Sequence, residues 1–105
     1  MKPIGKSRGR GIKLINSLND LNYLDNIVVQ KYISNPLLLD GYKFDMRIYV
    51  LVTSFHPLEA FVYREGFARL STEKYSLEPG DMKNNFVHLT NFAINRHNIS
   101  SDEQF

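Results

Sequence analysis

Lysine, aspartate and arginine stand at alternate positions in Lys43-Phe44-Asp45-Met46-Arg47. On an extended chain residues two apart share a face, so Lys43, Asp45 and Arg47 project together while Phe44, Met46, Ile48 and Val50 project the other way. Such a row is either a solvated strand face of alternating charge or an anion site at the edge of a sheet. The continuation favours the second, because the same face runs on to Tyr49 and Leu51, from a charged end into an expected buried middle. There Lys43 would meet phosphate oxygens as a point charge and Arg47 as a planar fork, with Asp45 orienting one of them.

A second cationic stretch, Lys2-Pro3-Ile4-Gly5-Lys6-Ser7-Arg8-Gly9-Arg10-Gly11-Ile12, sets two glycines one residue apart. Gly9 and Gly11 would let backbone N–H groups turn inward on an anion that Lys2 also reaches. The spacing is neither that of a P-loop nor that of a dinucleotide fingerprint, and a flexible basic tail or a localisation signal are the alternatives. Gln30-Lys31-Tyr32-Ile33 closes an apolar run before Asn35-Pro36, a position where backbone groups can pair with an adenine edge; its alternative is a polar strand end facing water. Thr90 and Asn91 in His88-Leu89-Thr90-Asn91 offer short polar side chains for phosphate or metal-bound water, or begin a turn. His56, His88 and His97 show no ligand spacing, so zinc is not expected.

These residues need elements to hold them. Residues 43–53 form the strongest strand signal and residues 59–64 the next, joined through Phe55-His56-Pro57 into an antiparallel hairpin. Residues 26–33 predict a buried strand, residues 17–24 a short helix behind a Ser17 cap, residues 76–85 an exposed loop and residues 86–94 a further strand. A loop is expected through Asp40-Gly41. With 105 residues there is room for one domain, and 43% hydrophobic with 23% charged residues fits a folded chain. The lack of cysteine excludes disulfides and thiolate metal sites and points to a reducing compartment. No run approaches the roughly 18 apolar residues of a membrane span, so the chain is expected to be soluble and cytoplasmic. Five basic and no acidic residues lie in positions 1–14, leaving eight basic residues against eleven acidic ones elsewhere. A basic arm on a mildly acidic body suits a small anion better than a nucleic acid, which usually meets a whole basic face.

In order and spacing these pieces resemble the tubulin tyrosine ligase-like family, most closely its polyglutamylase branch. The matching stretches are Lys2-Pro3 with residues 7–12, residues 29–33 with residues 35–38, and residues 43–52. Residues 63–69 and Phe86-Val87-His88-Leu89-Thr90-Asn91 complete them. The resemblance implies an α+β class, a partial ATP-grasp fold of mostly antiparallel strands with short helices, with residues 1–105 as its central part, truncated at both ends. It implies an ATP-dependent ligase adding glutamate to glutamate side chains of tubulin or other Glu-rich acidic tails, through an acyl-phosphate intermediate. Neither nucleic acid nor membrane is an expected partner, and the location implied is the cytoskeleton, with cilium and basal body as candidates. Lys2, Arg8, Gly9, Gln30, Lys31, Tyr32, Ile33, Lys43, Asp45, Thr90 and Asn91 are implied to line the ATP site. Arg8, Lys43 and Arg47 would act in catalysis, and Arg69 would hold the carboxylate of the incoming amino acid. An arginine at position 8 corresponds to members that start a branch rather than lengthen one. Members often carry Tyr and Ser where Phe92 and Ala93 stand in this chain, and Asp102 and Glu103 do not match the family's Mg²⁺ ligands, which are expected downstream of residue 105. The rival is a non-catalytic fragment that binds nucleotide or microtubules; a basic-arm nucleic-acid binder is the third class.

Overall fold

The computed structural model describes residues 1–21 and 26–99. Its centre is a three-stranded antiparallel sheet of order β3-β4-β7, made by β3 (Leu38–Leu39), β4 (Tyr42–Arg47) and β7 (Phe67–Lys74). Asp40 and Gly41, with φ of 49° and 87°, form the two-residue turn between β3 and β4. Left-handed backbone at both positions matches the twist of a hairpin, which is why an Asp-Gly pair serves in place of the looser loop expected.

No local pattern predicts β7. Its sequence, Phe-Ala-Arg-Leu-Ser-Thr-Glu-Lys, is short of β-branched residues, and tertiary pairing overrides its weak local preference. Its register on β4 sets Asp45 opposite Arg69 and Phe44 opposite Leu70, with an irregularity between Tyr42 and Phe44. There the Lys43 N–H donates to Ser71 Oγ at 3.1 Å, and that hydroxyl donates to Glu73 O at 3.0 Å. A serine side chain thus stands in for a ladder carbonyl at the bulge.

The strand expected over residues 43–53 is broken at Ile48-Tyr49 into β4 and β5 (Val50–Phe55). At this point the chain changes partners, β4 pairing with β7 and β5 with β6 (Leu58–Val62). Gly66 permits the exchange, because a Cβ at this position would lie 2.5 Å from Arg47 O. The hairpin through His56-Pro57 is as expected. The middle of the strand expected over residues 43–53 is not buried: Tyr49 and Leu51 are 48% and 63% exposed.

Two further expectations are corrected. Residues 26–33 yield only β2 (Ile27–Val28), paired antiparallel with β1 (Lys2–Pro3), and Val28 and Val29 are exposed. Residues 86–94 form no strand. They form most of two one-turn helices, α1 (Asn85–His88) and α2 (Phe92–Asn95). Asn84 caps the first, its Oδ1 accepting from Phe86 N at 3.0 Å, which outweighs the local apolar character. The expected helix over residues 17–24 is a 3-10 turn at Leu18–Asp20 capped by Ser17, and residues 22–25 lie outside the described residues, as do residues 100–105.

Among the described residues, Val87 is the apolar side chain that is fully buried, beside buried Ser71, His88, Thr90 and Asn95. The interior is therefore largely a hydrogen-bonded junction of α1 and α2 with β4 and β7. The radius of gyration, 16.7 Å, exceeds the roughly 13 Å of a compact domain of about 100 residues. No helix among the described residues is long and apolar enough to cross a membrane.

Candidate functional site

The basic arm is a closed loop rather than a flexible tail. Met1 and Lys13 pair through both their backbone bonds at 3.0 Å, and Ile4 N donates to Asn26 O at 3.0 Å. Arg8 and Gly9 both take left-handed backbone, with φ of 63° and 79°. For arginine this costs roughly 1–2 kcal/mol, offset by the turns around it, and it leaves the side chain exposed. Arg10 N and Ile12 N donate to Ser7 O and Gly9 O at 3.3 Å each, so these N–H groups serve the loop itself and not an anion. Gly9 is buried against the 90–91 segment: a Cβ there would lie 2.8 Å from Asn91 Oδ1 and 3.2 Å from Ile94 Cγ1.

Between this loop, the 28–33 segment and β4 lies a cleft of about 670 Å³. Lys2, Gln30, Lys31, Tyr32, Ile33 and Lys43 all line it, together with Lys13, Ile15, Val28, Phe44 and Met82. The cleft has apolar walls and four lysines, a combination that suits a flat heterocycle joined to an anionic chain. Lys43 projects from β4 and donates from Nζ to Tyr32 OH at 3.1 Å and to His88 O at 2.9 Å. Burial pushes its pKa down, opposed by the charge of Asp45. Burial chiefly, with help from Tyr75, pushes the Tyr32 phenol well above its ordinary value, so it stays protonated.

Two residues further along β4, Asp45 receives both prongs of Arg69, Nε to Oδ1 and Nη2 to Oδ2, each at 2.7 Å. Thr90 Oγ1 donates to Oδ2 at 2.9 Å. Burial alone would raise the Asp45 pKa, but the bonds from Arg69 and Thr90, with the charges of Arg69 and Arg47, hold it below the ordinary carboxylate value. Arg69 is thereby held by a carboxylate of its own chain. Nε and one Nη2 hydrogen are committed out of five guanidinium donors.

The sequence-predicted residues therefore fall into two adjoining groups. Lys2, residues 30–33 and Lys43 surround the cleft. Asp45, Arg69 and Thr90 are bonded together, with Asn91 next in the chain and the Arg8-Gly9 turn packed on it. Arg47 joins neither group directly. It lines a second, open cleft of about 590 Å³ with Tyr63, Arg64 and Phe67, because β4 leaves the first cleft at its far end. Among the described residues no cluster of three His, Asp or Glu side chains could hold a metal ion.

Sequence reasoning misses the residues that hold these groups in place. Asn95, 3% exposed, accepts from Thr72 N and Thr72 Oγ1 at 2.9 and 2.8 Å. It donates to Leu89 O and Asn91 O at 2.7 and 3.1 Å. This ties the turn carrying Thr90 and Asn91 to β7, and no local pattern announces it. His88 has no ligand spacing in the sequence, yet its side chain and carbonyl both face the Lys43 network.

The profile of the tubulin-tyrosine ligase family matches residues 1–104. Human tubulin polyglutamylase TTLL5 is 49% identical over 96 residues, covering 91% of this chain and 8% of that protein. Human tubulin polyglutamylase TTLL13 is 48% identical over 99 residues (92% and 12%), and human tubulin polyglutamylase TTLL7 is 45% identical over 100 residues (93% and 11%). The chain thus spans about a tenth of the length of these relatives.

Proposed function

The chain belongs to the tubulin-tyrosine ligase family, and from that premise we propose that it forms the nucleotide-holding part of an ATP-grasp ligase that adds glutamate to acidic tails such as that of tubulin. The observation that carries the reading is the cleft in which Lys43 Nζ is held at an inner wall facing the 28–33 segment and Lys2. ATP is the substrate that suits it. In this reading its base lies along the apolar wall beside residues 30–33, and its phosphates meet Lys2 and Lys43, with Arg8, Thr90 and Asn91 of the adjoining group beyond the cleft's own lining.

In this reading the acceptor's glutamate carboxylate takes the γ-phosphoryl group, ADP leaves, and the amine of the incoming glutamate displaces phosphate from the acyl phosphate. The chain's part in this is to offset charge on the transferring phosphoryl and to hold the two carboxylate reactants. Arg69, its plane fixed by Asp45, keeps three N–H donors for the α-carboxylate of the incoming glutamate. Arg8, exposed on the basic loop, would draw the side-chain carboxylate of an acceptor that bears no branch. Arg47 in the neighbouring cleft, with Arg64, suits the acidic tail itself. Among the described residues no three His, Asp or Glu side chains cluster, and the charge compensation that this chain offers the phosphates comes from lysine and arginine. A location on the cytoskeleton follows from such a substrate.

Titrating the chain with ATP tests the first half of the reading. Weak binding is expected, lost in Lys43→Ala and unchanged in Lys74→Ala, whose lysine lies exposed at the end of β7. Equal binding by both variants would refute the site. Exchanging the matching segment of human tubulin polyglutamylase TTLL5 for these residues tests the second half. The chimera should glutamylate tubulin, and Arg69→Ala should raise KM for glutamate while sparing ATP; a chimera that binds ATP without glutamylating would favour the non-catalytic alternative.

A further inference from the structure

His88 is 2% exposed, and both nitrogens of its ring have partners whose chemistry fixes the direction of each bond. A backbone carbonyl only accepts, so the 3.0 Å contact of Nε2 with Asp81 O puts the ring proton on Nε2. In the neutral ring Nδ1 is then an acceptor, and the Tyr32 hydroxyl at 3.0 Å donates to it. With its proton committed, the Tyr32 oxygen turns its lone pairs to Lys43 Nζ at 3.1 Å. The same ammonium donates to the carbonyl of His88 at 2.9 Å. The bonds therefore run one way, from Lys43 through Tyr32 and His88 to Asp81. Edge-on packing of the imidazole with Tyr32 and Tyr75, at centroid distances of 5.7 and 5.8 Å, holds the ring in this orientation. Burial, aided by the Lys43 charge and opposed by Asp81, pushes the His88 pKa down and favours the neutral ring that the geometry requires.

An ammonium has three N–H bonds, and two of them are fixed by Tyr32 and His88. We infer that His88 is a positioning residue for Lys43: acting through the Tyr32 hydroxyl and through its own carbonyl, it directs the remaining Lys43 N–H into the cleft, toward an anionic oxygen of the nucleotide. This rests on the nucleotide reading of the cleft. It adds a requirement that the reading alone does not contain, namely that a buried imidazole must stay neutral and bonded for Lys43 to be aimed.

The test is an ATP titration of the chain followed by NMR, which also reports whether each variant is folded. Wild type is compared with Tyr32→Phe, His88→Gln, His88→Asn and the Tyr32→Phe/His88→Gln double variant. A glutamine amide reaches the place of Nε2 and Asp81, whereas an asparagine amide takes the place of Nδ1 and can accept from Tyr32. Tyr32→Phe and His88→Gln should each weaken ATP binding about fivefold to tenfold, the size of the net contribution of one ordinary hydrogen bond. The double variant should be no weaker than either single one, and His88→Asn should stay within about twofold of wild type. A purely structural role would lower the melting temperature of both His88 variants alike without this Gln–Asn split. Folded single variants that bind like wild type, or losses that add in the double variant, would overturn the inference while leaving the nucleotide site standing. A wild type that does not bind ATP would overturn both. Should His88→Gln fail to fold, Tyr32→Phe decides, since it removes one oxygen atom.

Discussion

Replacing Asp45 with alanine removes the acceptor of three hydrogen bonds, and the structure allows the cost to be worked out in parts. Both Arg69 bonds are 2.7 Å long, and the side chains are 25% exposed for Arg69 and 43% for Asp45. Breaking a fully buried pair costs about 3–5 kcal/mol, whereas exposed pairs contribute about 0.2–1 kcal/mol. Exposure of the carboxylate places this pair near the second range, and the two-pronged geometry places it at the top, about 1 kcal/mol of coupling. Thr90 adds to the loss, because its hydroxyl donates to Asp45 at 2.9 Å from a residue only 9% exposed. Leaving that donor without its acceptor costs about another 1 kcal/mol. Asp45→Ala should therefore lower the free energy of unfolding by about 2 kcal/mol and Arg69→Ala by about 1 kcal/mol, with a double-mutant coupling near 1 kcal/mol. Urea unfolding of the four proteins at neutral pH measures this. The pH dependence has a definite sign. The folded Asp45 pKa lies below its ordinary 3.8, so the contribution is fully present above that value and is lost as pH falls through the lower folded value. An Arg69→Ala cost equal to or above that of Asp45→Ala, or a coupling that survives protonation of Asp45, would contradict this account of the Asp45–Arg69 pair.

Three further substitutions, Gly5→Ala serving as the reference for Gly9→Ala, probe the supports of the site. Gly9→Ala meets both a left-handed φ and the Asn91 side chain, whereas Gly5→Ala meets a similar φ of 76° with nothing within 4 Å. Gly5→Ala should cost about 1–2 kcal/mol and Gly9→Ala clearly more, the difference in urea unfolding reporting the packing of the arm on Asn91. Equal costs would mean that the arm does not press on the 90–91 turn. Asn95→Ala removes two accepted and two donated bonds from a buried position and should destabilise by about 2–3 kcal/mol in the same assay. A loss below about 0.5 kcal/mol, the size of an ordinary surface change, would show that Asn95 does not tie the turn to β7.

What can be read in this sequence is the chemistry of single residues and of neighbours along one strand. The alternation of Lys43 and Asp45, the chain reversal at Asp40-Gly41, the proline at the β5–β6 turn and the family motifs all depend on residues within a few positions of each other. Period, turn type and charge spacing act over such distances. What required the tertiary structure is every contact that joins remote segments. Asp45 meets Arg69, 24 positions away, because β7 pairs with β4 despite a composition that does not announce a strand. Lys43 and Arg47 line two different clefts, with Asp45 bonded to Arg69 between them, because the chain changes sheet partners at Arg47 and Gly66, a switch set by one close backbone approach. The segment 86–94, a strand by its apolar pattern, folds as two capped turns because Asn84 and Asn95 commit their side chains to backbone groups, and nothing in that pattern reveals it. His88, unremarkable by spacing, gains its place from Tyr32 and Lys43, 56 and 45 positions away. Local patterns thus determine which groups are available, whereas pairing register and buried polar bonds, which act between segments with no sequence relation, decide which of them meet.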